Sequence, residues 1–153
     1  MADDILSTAR RVIGIEARGL AALSDALGEG FEKAVAAILA ARGRVIVSGM
    51  GKSGHIARKI ASTLASTGTP AYFVHPAEAS HGDLGMVEAG DVFIAISYSG
   101  ASEELLQIVP LVKRRGAKLI ALTLSGCGSL SVHAYEAIAS AATDQNVISF
   151  ISN

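Results

Sequence analysis

Aromatic residues fill only 5% of the 153 positions, none of them tryptophan, and there is one cysteine. So few aromatics argue against a sandwich of aromatic-rich strands, whereas 16 glycines suit short strands tightly connected to helices. Cys127 alone cannot close an internal disulfide, which fits a reducing compartment. Charge of one sign is lacking too: 13 Lys and Arg against 14 Asp and Glu leave a formal charge of -1. That balance gives no general attraction for nucleic acid or for acidic membrane surfaces. The apolar stretch from Ala34 to Ala41 falls far below the roughly 18 residues that suggest a membrane span. The acidic start, Met1-Ala2-Asp3-Asp4, lacks the basic residues and apolar stretch of an export signal, so a cytoplasmic protein is expected.

With half of its residues apolar, the chain has material for one compact domain with its own core and too little length for two. Residues 1–153 therefore read as one domain, with N-terminal helices over 1–43, an α/β core over 44–141 and an unassigned tail over 142–153. From Asp3 to Leu27, Ile5, Leu6, Val12, Ile13, Ile15, Leu20, Leu23 and Leu27 recur at helical intervals. A second helix is expected over Gly30 to Ala41, stopped by Arg42-Gly43. So apolar a start needs a cover, and a second copy of the chain is the expected one.

Beyond it the pattern alternates: strand over Arg44 to Ser48, helix over Ser53 to Thr67, strand over Ala71 to Val74. It then repeats, with strand over Asp91 to Ser97, helix over Ser102 to Arg115 and strand over Lys118 to Thr123 behind an Arg115-Gly116 stop. Short apolar strands separated by helices imply parallel pairing with both faces covered. Weaker signals follow, a short helix over Ser129 to Tyr135 and a strand over Ala137 to Ala141.

Gly49-Met50-Gly51-Lys52-Ser53-Gly54 follows a strand and opens a helix, which aims backbone N–H groups at an anion. It matches the glycine spacing of a dinucleotide site, but the next strand ends Val74-His75-Pro76 without the acid that would hold a ribose hydroxyl. A triphosphate-binding loop needs a glycine where Ile46 stands. What remains is a monophosphate or sugar hydroxyl site with Lys52 at its mouth, against the plainer reading of a tight turn with an exposed lysine.

The second such loop is Ser97-Tyr98-Ser99-Gly100-Ala101-Ser102-Glu103-Glu104. Ser102 reads as an N-cap, and Ser97, Ser99 and Ser102 together with free helical N–H groups can satisfy one phosphate. Two anion-ready loops in one sheet favour a ligand over two ordinary caps. Between them runs a long polar connection, His75 to Gly85, of the kind that carries function. His75, Glu78, His81 and Asp83 match no strong metal spacing, so no metal is expected; His81 is the candidate proton-transfer group, against the plainer reading of a loop histidine bonded to backbone.

Gly49-Met50-Gly51-Lys52-Ser53-Gly54-His55, Ser66-Thr67-Gly68-Thr69-Pro70, His75-Pro76, His81-Gly82-Asp83-Leu84-Gly85-Met86 and Ile94-Ala95-Ile96-Ser97-Tyr98-Ser99-Gly100 together resemble the sugar isomerase (SIS) family, and within it the D-arabinose 5-phosphate isomerases. The likeness spans roughly Val45 to Thr123. It implies a three-layer α/β/α sandwich around a five-stranded parallel sheet, flavodoxin- or Rossmann-like, assembled as a homodimer or homotetramer. It implies a small sugar phosphate as ligand and no cofactor. Ser53, Ser97, Ser99 and Ser102 would hold the phosphate, with Gly51 and Tyr98 in the binding set. Lys52, His81 and Glu104 would be catalytic in aldose–ketose interconversion through an enediol. Arabinose 5-phosphate would place such an activity in building the acidic sugar of a bacterial outer envelope.

The sequence departs from that pattern after its last strand. The family continues with a second acidic segment and a later Ser-His-Pro-Gly-Gly segment, whereas here Asp144-Gln145 stands where the second glutamate would align. No counterpart of the paired regulatory domains of longer members is expected within these 153 residues. A fragment of a longer product or a reduced relative is expected, and the alternative to an isomerase is a non-catalytic sugar-phosphate-binding module.

Overall fold

The computed structural model describes residues 2–80, 82–123 and 136–139. Two helices come first, α1 (Ala2–Ala26) and α2 (Glu29–Leu39), then β1 (Val45–Gly49), α3 (Gly51–Ser66) and β2 (Ala71–Phe73). There follow a short helix α4 (Pro76–Ser80), a 3₁₀ turn (Asp83–Met86), β3 (Val92–Ile96), α5 (Glu103–Arg114), β4 (Lys118–Thr123) and β5 (Glu136–Ala139). Among the described residues the sheet has five strands in the order β2-β1-β3-β4-β5, and every neighbouring pair is parallel. The helix expected over Ser129 to Tyr135, the tail over 142–153 and His81 lie outside the described residues.

Alternation along the buried strands sends side chains to two cores. Ile46, Phe93, Ala95, Leu119 and Ala121 pack on one face with Leu105, Ile108, Val109 and Val112 of α5. Val45, Val47, Val92, Ile94, Ile96 and Ile120 pack on the other with Ile56, Ala57 and Ala61 of α3 and with Ala34 and Ala37 of α2. Residues as fully buried as Ile46, Phe93 and Leu119 each contribute about 1.5–3 kcal/mol relative to exposure. Edge strand β2 is sheltered by two arginines, Arg58 stacked 4.0 Å over the Phe73 ring and Arg44 lying 5.9 Å from the Tyr72 ring centre.

The amphipathic start is helical as its periodicity predicts, yet its apolar residues are not buried by the described residues: Ile5 is 70% and Ile13 64% exposed. The stop at Arg42-Gly43 works differently from the expectation. Helix α2 ends at Leu39, short of Arg42. Gly43 is instead a close-approach position, since a Cβ there would collide with the Asp91 side chain. The stop after α5 has the expected form, with Lys113 and Arg114 in the last turn and Gly116 at φ 80°.

The connection from His75 to Gly85 is more ordered than a long polar loop. It folds into α4 and the 3₁₀ turn because Ala79, Leu84 and then Val87 reach the core. His75 Nδ1 accepts the Ala77 N–H at 3.3 Å, fixing the ring at the start of α4.

Asp91 fastens the amino ends of the strands. The residue is 4% exposed, and its carboxylate accepts the backbone N–H groups of Arg44 and Glu88, both at 2.8 Å. At the opposite end β1 and α3 meet through glycine: a Cβ on Gly54 would stand 2.7 Å from the Gly49 carbonyl oxygen. Both contacts can be tested by unfolding. Asp91→Ala orphans two donors and is expected to cost about 2–4 kcal/mol in urea unfolding. Gly54→Ala gains about 1 kcal/mol of helix propensity but forces strand and helix apart, so it should be net destabilising by about 1–2 kcal/mol, read as a lower urea midpoint with an unchanged slope.

Candidate functional site

Strands β1 and β3 pair from Val45 opposite Val92 to Gly49 opposite Ile96, so their carboxyl ends finish level. The chain leaves β1 toward α3 on one face of the sheet and leaves β3 toward α5 on the other. Between these two strands the order reverses direction, with β2 outside β1 and β4 outside β3. The crevice outside such a reversal is where open parallel sheets take ligands, because the two helix starts diverge around it.

On the β1 side, Met50 is the N-cap of α3 and makes no side-chain cap. Gly51 adopts φ 53°, which lets the helix begin directly after the strand. The expected start at Ser53 is therefore two residues late: Gly51 and Lys52 are exposed in the first turn, and Ser53 is half-buried as its third residue. Lys52 thus carries its cation at the positive end of the α3 dipole, and the pairing favours an anion there.

On the β3 side the serines form a connected cluster. Ser97 is 2% exposed, and its Oγ accepts the Gly100 N–H at 3.1 Å while lying 2.8 Å from Ser102 Oγ. The backbone of Ser102 occupies the N-cap position of α5, yet its hydroxyl caps nothing there. It is turned to Ser97, so the first-turn N–H groups of α5 have no side-chain acceptor from Ser102 and face the crevice. Gly100 at φ 65° makes the turn, and Ser99 Oγ accepts the Ala101 N–H at 3.2 Å. Tyr98 and Ser99 are exposed at the rim. Glu104 is exposed in the first turn of α5, on the opposite side of the crevice from Lys52.

The fold therefore brings Gly51, Lys52, Ser53, Ser97, Tyr98, Ser99, Ser102 and Glu104 to one edge of the sheet, with Ser97 and Ser102 in direct contact. Among the described residues, no three His, Cys, Asp or Glu side chains converge as a metal set, and no helix is long and apolar enough to cross a membrane. Sequence reasoning missed Thr123. It ends β4 beside Ser97, is 4% exposed, and its Oγ1 has no hydrogen-bond partner. A polar residue closing the apolar run from Leu119 to Leu122 was the available signal.

Comparison with known proteins agrees with this geometry. Residues 38–152 match the SIS domain family. The arabinose 5-phosphate isomerase KdsD of Pseudomonas aeruginosa is 52% identical over 120 residues, which is 78% of this chain and 37% of that protein. The arabinose 5-phosphate isomerase GutQ of Shigella flexneri is 51% identical over 123 residues, 80% of this chain and 38% of the relative. The chain thus spans well under half the length of these curated relatives. A solved structure of E. coli CFT073 c3406 in complex with arabinose 5-phosphate superposes with a TM-score of 0.87 at 33% identity, covering 99% of this chain and 88% of its own. Sheet order, paired loops and sequence agree: the chain belongs to the SIS domain family.

Proposed function

We propose that the crevice between β1 and β3 binds a sugar phosphate and that the chain carries aldose–ketose isomerase chemistry, interconverting D-arabinose 5-phosphate and D-ribulose 5-phosphate. The observation that carries this reading is the pair of anion-ready loops at the level carboxyl ends of β1 and β3. The names of the relatives and the arabinose 5-phosphate bound to the E. coli neighbour support the choice of sugar.

In this reading the phosphate rests against Ser97, Ser99, Ser102 and the first-turn N–H groups of α5, with Ser53, Gly51 and Tyr98 completing the binding set. The sugar then extends toward α3. Isomerisation moves the proton on C2 of the open-chain aldose to C1, and the hydroxyl proton on O2 to O1, through an enediol. Glu104 serves as the carbon base, because a carboxylate within reach of C2 can take the proton and return it one atom away. Lys52 stabilises the charge that develops on the oxygens as the C2–H bond breaks. His81 assists ring opening and proton movement between oxygens. No cofactor is needed, since the reaction is internally redox-balanced.

The chain acts in this reading as a single domain assembled into a homodimer or homotetramer, which the exposed apolar residues of α1 support. The decisive test is an isomerase assay with D-arabinose 5-phosphate and D-ribulose 5-phosphate. Wild-type chain should turn both over. Lys52→Ala and Glu104→Gln should each lower kcat by about 10²–10⁴-fold while retaining sugar-phosphate binding in calorimetry. Binding by the wild type without any proton exchange into product would sink the isomerase reading and leave a non-catalytic binding module.

A further inference from the structure

Two buried side-chain polar atoms among the described residues have no hydrogen-bond partner, Tyr72 Oη and Thr123 Oγ1. An orphan of this kind costs about 1–3 kcal/mol, and each one in a folded protein needs a reason. Tyr72 has one in its ring, which packs against the α5-side core and lies under the Arg44 guanidinium. Thr123 has no such reason, because valine would fill the same space without stranding a hydroxyl.

The position of Thr123 supplies the explanation. Ile96 pairs with Leu122, and the Ser97 N–H donates to the Leu122 carbonyl at 3.0 Å, so Ser97 and Thr123 are side by side at the ends of β3 and β4. Ala95 and Ala121, two residues earlier on each strand, share the core on the α5 face. Alternation therefore puts Ser97 and Thr123 on that same face, beneath the start of α5. Adjacent strands are about 4.8 Å apart, a spacing at which facing hydroxyls can bond directly, but here Ser97 Oγ is turned to Ser102 Oγ and the Gly100 N–H, and Thr123 Oγ1 bonds to neither. Two O–H···O⁻ bonds of about 2.6 Å each span that gap when an anionic oxygen lies between them.

We propose that Thr123 Oγ1 donates a hydrogen bond to the phosphate group of the bound sugar phosphate, as the β4-side member of the cradle that Ser97 and Ser102 begin. The assignment to phosphate rather than sugar follows from strand order: Thr123 is on the flank of Ser97 away from β1 and Lys52, toward which the sugar extends. It rests on the sugar-phosphate reading of the crevice, and its test is independent of turnover.

The experiment compares the full chain with Thr123→Val and Thr123→Ser in two measurements: thermal unfolding without ligand, and calorimetric binding of inorganic phosphate, D-arabinose 5-phosphate and unphosphorylated D-arabinose. Thr123→Val should unfold at the same temperature as the wild type or higher, because it removes an unpaired hydroxyl. The same variant should bind inorganic phosphate and the sugar phosphate about tenfold more weakly, the scale of one hydrogen bond to a charged group. Thr123→Ser should bind both as the wild type does. Phosphate affinity unchanged in Thr123→Val overturns the proposal, as does a wild type that binds no phosphate. A loss confined to the sugar phosphate, with inorganic phosphate unaffected, moves the contact to a sugar hydroxyl and equally overturns it. Should the valine form fail to fold, Thr123→Ala removes the hydroxyl without crowding and is read by the same affinities. Absence of turnover in a wild type that binds phosphate would defeat the isomerase reading alone.

Discussion

Strands β1 and β3 are buried on both faces and pair in parallel over their whole length, Val45 with Val92 through Gly49 with Ile96. A central strand covered on both faces must find helices on both sides, and here the helix after β1 covers one face and the helix after β3 the other. The helix starts then diverge from a common edge, and Lys52, Ser53, Ser102 and Glu104 take their places from that divergence. Asp91 and Gly43 hold the far end of the same pair through a carboxylate, and at the near end the close approach of Gly54 to Gly49 seats α3 against β1.

The two loops reach a similar electrostatic result by different means. After β1, a glycine in the left-handed region starts the helix at once and puts a lysine in its first turn. After β3, serine hydroxyls bond to each other and to the loop backbone, so the cap residue turns away from its own helix. An ordinary N-cap would satisfy the orphan donors internally. The Ser97–Ser102 pairing leaves those donors without a side-chain acceptor from Ser102, and Thr123 carries an unpartnered buried hydroxyl on the next strand.

Outside the central strands the chain is less self-sufficient. α1 is long and amphipathic, yet Ile5, Leu6, Val12 and Ile13 are exposed. The described residues give that stripe no cover, whereas the Ala-rich α2 buries Ala34 and Ala37 against the sheet because small side chains allow close approach. The same size argument explains Gly43, which reads in sequence as a helix stop but is required by the neighbouring Asp91 side chain.

Local pattern alone determined the alternation of strand and helix, the β4 bounds of Lys118–Thr123, the Arg115-Gly116 stop and the two anion-ready loops, because each depends on hydropathy period or on glycine and serine within a few residues. The ordered connection after β2 escaped that reading, since Ala79 and Leu84 become core only when α5 lies beside them. Only the tertiary structure decided that Ser102 serves Ser97 rather than its helix, that Asp91 binds the distant Arg44 amide as well as the nearby Glu88 amide, and that Thr123 stands beside Ser97. Ser97 and Thr123 are separated by a helix in the sequence and become neighbours through parallel pairing of β3 with β4, a contact that no local periodicity encodes.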